Sequence, residues 1–121
     1  MSSLTKPLAR YSHARKVGSL LYLAGQGSRD PATDTYPTGV TAHAQGVLAN
    51  IERVLKSNGL DRSALVDVNV FLVDMADFDA MNAVWNDFFA EVPNPPTRTT
   101  VAVKQLPGKN VVEMKAIAAW P

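Results

Sequence analysis

Two side chains near the C-terminus have the chemistry for acid–base work on a small acid. Arg98 follows Asn94-Pro95-Pro96-Thr97, so a stiff, extended approach presents its guanidinium at the mouth of a strand. That planar fork suits a carboxylate held by two hydrogen bonds, whereas the plainer alternative is a solvated surface arginine in a rim ion pair. Glu113 lies in Val111-Val112-Glu113-Met114-Lys115-Ala116-Ile117, among apolar or small residues. In a strand it shares a face with Val111, Lys115 and Ile117. A carboxyl in a partly dry setting holds its proton more tightly and can act as acid or base. A Glu113–Lys115 pair on a solvated sheet face is the competing reading.

Weaker signals lie near the other end. Gly25-Gln26-Gly27-Ser28-Arg29 exposes backbone amides that could cradle an anion, or could be a plain turn. It lacks the lysine and spacing of a phosphate loop. Tyr11, His13 and Arg15 alternate along a first strand, so they project to one side, either lining a cleft or covering an edge. His43 falls off the apolar stripe of its helix and is expected to be solvated. No Ser-His-Asp order or paired-carboxylate motif stands out.

These groups must be carried by a small set of elements. Tyr11 to Lys16 and Leu20 to Ala24 read as two strands joined by a turn at Val17-Gly18-Ser19. Arg29 to Gly39, rich in Asp, Pro, Thr and Gly, reads as a loop. Val40, Ala44, Val47, Leu48, Ile51, Val54 and Leu55 then form one apolar stripe over a helix. Thr38 or Thr41 could cap its start, and Ser57-Asn58-Gly59 ends it. Leu65 to Val73 alternates as a strand with one buried face. Asp77 is the expected N-cap of a second helix lined by Phe78, Met81, Trp85, Phe88 and Phe89. Two last strands, Thr97 to Gln105 and Val111 to Ala119, complete the order β-β-α-β-α-β-β. That order predicts an α+β domain over residues 1–121, one mixed sheet with both helices on one face. The bare face would be partly apolar, which predicts a cyclic homo-oligomer.

Composition sets the outer bounds. With 121 residues, 46% hydrophobic and 19% charged, the chain fits one globular domain able to bury its own core. Twelve Lys and Arg against eleven Asp and Glu argue against a nucleic-acid binder, which usually carries a basic excess. The absence of cysteine excludes disulfides, thiolate metal sites and a cysteine nucleophile. Two histidines are too few for a multi-histidine metal site. No secretory leader or membrane span is evident, so a cytoplasmic location is expected.

Taken together, Pro96-Thr97-Arg98-Thr99-Thr100-Val101-Ala102-Val103, Leu106-Pro107 and Val112-Glu113-Met114-Lys115-Ala116-Ile117-Ala118 resemble the signature of the RidA/YjgF family. Tyr11, Leu23-Ala24-Gly25-Gln26, the long helix and Asn82 within the Phe78–Phe89 segment extend the resemblance over nearly the whole chain. It implies a chorismate-mutase-like fold and a homotrimer with sites at subunit clefts. It also implies hydrolysis of reactive enamines and imines to keto acids and ammonia, without metal or organic cofactor. Carried over, Arg98 would bind the substrate carboxylate and Glu113 would position and activate water. Tyr11, Ala24, the Gly25 backbone, Asn82 and Thr100 would line the site.

Arg10-Tyr11-Ser12-His13-Ala14-Arg15 and Gly27-Ser28-Arg29 are similar to the 2-aminomuconate deaminase subgroup, whose dicarboxylate substrate would need a second cation, Arg15 or Arg29. Ala24, where a hydroxyl residue is usual, and His13, where an uncharged residue is usual, depart from the general imine deaminases. The alternatives are a general 2-imino acid deaminase and a non-catalytic trimer, regulatory or chaperone-like, that binds small carboxylates. Neither nucleic acid nor membrane is an expected partner.

Overall fold

Alternation along the strands and the three-and-four spacing of the helices sort the apolar residues into one layer. In the computed structural model, which describes residues 4–121, the elements are β1 (Ala14–Val17), β2 (Leu20–Gln26), α1 (Val40–Ser57), β3 (Leu65–Leu72), α2 (Phe78–Phe88), β4 (Thr97–Ala102) and β5 (Val112–Ala119). Two short 3₁₀ turns, Arg62–Ala64 and Met75–Asp77, precede β3 and α2. The five strands form one sheet in the order β1-β2-β5-β3-β4. Only the β3–β4 pair is parallel, because α2 carries the chain back across the sheet between them.

One face of this sheet is dry. Leu21, Leu23, Val68, Val70, Leu72, Val112, Met114, Ala116 and Ala118 alternate onto it and are buried. Val47, Leu48, Ile51, Val54 and Leu55 of α1 and Met81 and Trp85 of α2 join the same cluster. Each large aliphatic side chain so buried contributes about 1.5–3 kcal/mol, which is why the helices stay on this face. The opposite face carries Tyr22, Asp67, Asn69, Phe71, Glu113, Lys115 and Ile117 by the same alternation, and none of these is buried. Tyr22 and Val101 are among the large apolar groups left exposed.

The expected elements are present with shifted ends. β1 starts at Ala14 rather than Tyr11, because Tyr11 N donates to Ala9 O and turns the chain before the ladder begins. β4 stops at Ala102 and β5 begins at Val112. Neither Thr38 nor Thr41 caps α1; Gly39, at φ 89°, is the N-cap and no side chain bonds there. Asp77 is the N-cap of α2, as expected, although its side chain makes no capping hydrogen bond; Asp74 accepts from Ala76 N in the turn before.

Two irregularities bear on function. β2 carries one extra residue against β5 between Leu23 and Gln26, so Ala24 and Gly25 together face Lys115. His43 is buried at 5% exposure, contrary to the solvated position expected for it. The loop after β2 folds over the start of α1, and Ser28 Oγ lies 2.7 Å from His43 Nδ1. Burial lowers the His43 pKa, opposed by a hydrogen bond to the Pro37 backbone.

Candidate active site

The β2 bulge and the loops around it open a cleft of about 700 Å³ on the bare side of the sheet. Tyr11, His13 and Arg15 line it from the N-terminal segment, although only Arg15 belongs to a strand. Ala24 and Gly25 supply its floor from the bulge, and Glu113 rises from β5 beside them. Arg29 also lines it. Lys6, Tyr36, Asn110 and Lys115 also line it, and none of the four is a site residue expected from the sequence. Asn110 was concealed in a turn sequence, yet it accepts from Ser28 N at 2.8 Å and ties the two loops together. Lys115 was legible only as a neighbour of Glu113.

Among the described residues Glu113 is the one carboxyl lining this cleft, against Lys6, Arg15, Arg29 and Lys115. The Glu113–Lys115 ion pair of the competing reading is absent among the described residues. Lys115 Nζ donates instead to Leu23 O, at the start of the bulge, at 3.3 Å. Arg29 is already engaged, by Asp34 Oδ1 at 2.7 Å and by Lys6 O at 2.8 Å. Glu113 therefore sits half-buried with no salt bridge among the described residues, and desolvation raises its pKa.

Arg98 is elsewhere. It pairs in register with Val68, whose side chain lies in the core, whereas Glu113 pairs with Phe71, three residues on. Alternation then sends Arg98 to the helix side and Glu113 to the bare side. The Arg98 guanidinium stacks at 4.9 Å from the Trp85 ring centre and 5.6 Å from that of Phe78. Burial lowers its pKa, and no carboxylate among the described residues pairs with it.

Thr100, two residues along β4, shares its face, and Asn82 lies on α2 between Phe78 and Trp85 at helical spacing. Thr100 Oγ1 and Asn82 Oδ1 are buried with no hydrogen-bond partner. Two buried polar atoms without a hydrogen-bond partner and a guanidinium without an ion pair thus lie on the same side of the sheet, the side that α2 covers. The chain thus brings together Glu113, Tyr11, His13, Arg15, Ala24, Gly25 and Arg29 in one cleft, and holds Arg98, Asn82 and Thr100 apart from it at the β4 edge.

Known proteins share this arrangement of strands and helices. Residues 1–120 match the family described as Endoribonuclease L-PSP, and the chain belongs to that family, the RidA/YjgF proteins. It is 38% identical over 114 residues to a RutC family protein of Pyrococcus abyssi, covering 93% of this chain and 88% of that one. It is 36% identical to the 2-iminobutanoate/2-iminopropanoate deaminase of Dermatophagoides farinae, over 93% of this chain and 87% of that one. Among solved structures, E. coli TdcF with bound serine superposes with a TM-score of 0.94 at 29% identity, covering 98% of this chain and 94% of that one. The α+β sheet with two helices on one face is the family's fold. No described helix is long and apolar enough to cross a membrane.

Proposed function

We infer that the protein is a hydrolytic deaminase of small enamine or imine carboxylates, with each site completed between two copies of the chain in a homotrimer. The observation that carries this reading is the half-buried, unpaired Glu113 carboxyl in a cation-lined cleft, with its pKa raised by burial. A carboxyl of that kind keeps a proton to donate closer to neutral pH than an exposed one. The name of the Dermatophagoides relative and the amino acid bound to TdcF support a small nitrogen-bearing acid as the guest.

One copy contributes Arg98, Asn82 and Thr100, and its neighbour contributes Glu113 with Tyr11, Ala24 and Gly25. Arg98 grips the substrate carboxylate through two charge-assisted hydrogen bonds. Asn82 and Thr100 gain the partners that each lacks alone. Glu113, acting through a water molecule, protonates the imine nitrogen; the water then adds to the carbon of the resulting iminium and passes a proton to the Glu113 carboxylate, giving the neutral carbinolamine and the protonated carboxyl. Glu113 next protonates the amino nitrogen, and as the C–N bond breaks the hydroxyl proton goes back to its carboxylate, so that ammonia leaves, the keto acid forms and the carboxyl is restored. An enamine first takes a proton at carbon from the same carboxyl and returns one from its nitrogen to the carboxylate, which gives the imine with Glu113 protonated again. Positioning and proton transfer suffice for this chemistry, the latter contributing about 10²–10⁴-fold.

The cationic wall narrows the substrate further. A dicarboxylate such as 2-aminomuconate would place its second carboxylate against Arg15, whose charge has no ion-pair partner among the described residues. Arg29 is the poorer second clamp, since Asp34 already holds it. The test is direct ammonia release from 2-aminomuconate compared with 2-iminopropanoate made in situ from alanine. Release from either, lost in Glu113→Gln, upholds a deaminase; preference for the first upholds the dicarboxylate assignment. No ammonia from either above the uncatalysed rate would overturn the reading.

A further inference from the structure

Glycine at position 25 has no conformational excuse. Its φ is not among the positive values found at Gly18, Gly39, Gly59 and Gly108, so any residue could adopt its backbone. The reason for glycine lies in what stands over it. A Cβ built there would meet Glu113 Oε2 at 2.6 Å and Cδ at 3.2 Å, closer than real side chains pack. The extra residue in β2 brings the strand to this approach, because the bulge lifts Ala24 and Gly25 out of register opposite Lys115. No hydrogen bond or salt bridge to the Glu113 carboxyl is found among the described residues, so contact with the bare glycine is what locates it.

We propose that Gly25 is a positioning residue: its missing side chain is the seat that holds the Glu113 carboxyl against the floor of the cleft. The seat rests on the reading of Glu113 as the proton-carrying group only for its catalytic consequence; the geometry stands without it. Filling the seat with a methyl group pushes the carboxyl outward into the open cleft. The fold should survive, since the group displaced is the far end of a flexible side chain. Shortening Glu113 to aspartate withdraws the carboxyl by one methylene and makes the methyl harmless.

The experiment is a carbon-13 NMR titration of the side-chain carboxyls in wild type and Gly25→Ala, feasible because the chain has three glutamates, Glu52, Glu91 and Glu113. The Glu113 midpoint should fall toward that of an exposed carboxyl in Gly25→Ala while Glu52 and Glu91 stay put. Turnover of 2-iminopropanoate should fall about tenfold in kcat with KM little changed, and the fall of kcat on the alkaline side of its pH profile should move with the NMR midpoint. Adding Glu113→Asp to Gly25→Ala should leave kcat no lower than Glu113→Asp alone, a non-additivity expected of groups in contact. The same coupling should appear in thermal midpoints, which keeps the test alive should Gly25→Ala prove unstable. An unmoved Glu113 titration, or effects that multiply independently, overturns the seat. A moved titration with unimpaired turnover upholds the seat and removes Glu113 from the proton step, so the two failures are told apart.

Discussion

Arg98 and Glu113 leave opposite faces of one sheet: Arg98 is registered on Val68 and Glu113 on Phe71, two positions of β3 that alternate to different sides. The cation consequently stacks on α2 aromatics while the carboxyl looks into the cleft on the bare side. A site using both requires the β4 edge of one copy to meet the cleft of another. The exposed Tyr22 and Val101 on the bare face give such an association apolar area to bury.

Substitutions at the two residues should therefore fail differently. Arg98→Ala loses two charge-assisted hydrogen bonds to the carboxylate and should raise KM about 100-fold. Glu113→Gln keeps the shape and the binding but should lower kcat by about 10²–10⁴-fold. Steady-state ammonia release across substrate concentrations separates the two; equal effects on KM in both variants would contradict the division of labour.

Glu113 should also be a stability liability at neutral pH. Its folded pKa is raised by desolvation, so the folded state binds the proton more tightly than the unfolded chain does. The penalty is present above the folded pKa and is relieved as pH falls through it toward the ordinary carboxyl range. Glu113→Gln should raise Tm by a few degrees at pH near 8 and much less at pH near 4.5, because the neutral amide has no charge to desolvate. A Tm lowered at both pH values would mean that the carboxylate is favourably held.

How far the site could be read from the chain follows from which contacts are local. The apolar stripe from Val40 to Leu55 and the valine alternation from Val66 to Val70 express themselves in periods of 3.6 and 2, so α1 and β3 were legible. Arg98 and Glu113 were legible as residue types in unusual company. Their opposite facing was not, because it depends on register across β3, and register is a pairing property no single segment carries. His43 was misjudged for a related reason: Ser28, fifteen residues earlier, covers it. The bulge at Ala24–Gly25 exists only relative to β5.

The Ser28–His43 contact predicts a second pH effect of opposite sign. The His43 pKa is lowered by burial, so the unfolded chain binds the proton more readily than the fold does. Stability should be full above the ordinary histidine value of 6.5 and should decline as pH falls from there toward the lower folded pKa. His43→Asn, whose amide can still reach Ser28, should flatten urea-unfolding free energies between about pH 7.5 and about pH 5. An identical decline in that variant would assign the loss to other groups.

Arg15 should set the response to a second carboxylate. Arg15→Ala should lower the ratio of kcat/KM for 2-aminomuconate to that for 2-iminopropanoate about tenfold, the worth of one charged hydrogen bond. Arg29→Ala should move that ratio less, since its guanidinium is committed to Asp34 and Lys6 O. An unchanged Michaelis constant for 2-aminomuconate in both variants would remove both arginines from the clamp.

Subunit mixing tests the shared site most directly. Arg98→Ala and Glu113→Gln proteins, each nearly inactive alone at substrate concentrations near the wild-type KM, are unfolded together in equal amounts, refolded and assayed there for ammonia release. If every site draws Arg98 from one copy and Glu113 from the next, about a quarter of the sites in the mixture regain both groups and a like share of wild-type activity returns. A mixture that reassembles fully yet stays as inactive as its two components would contradict a site built from both copies.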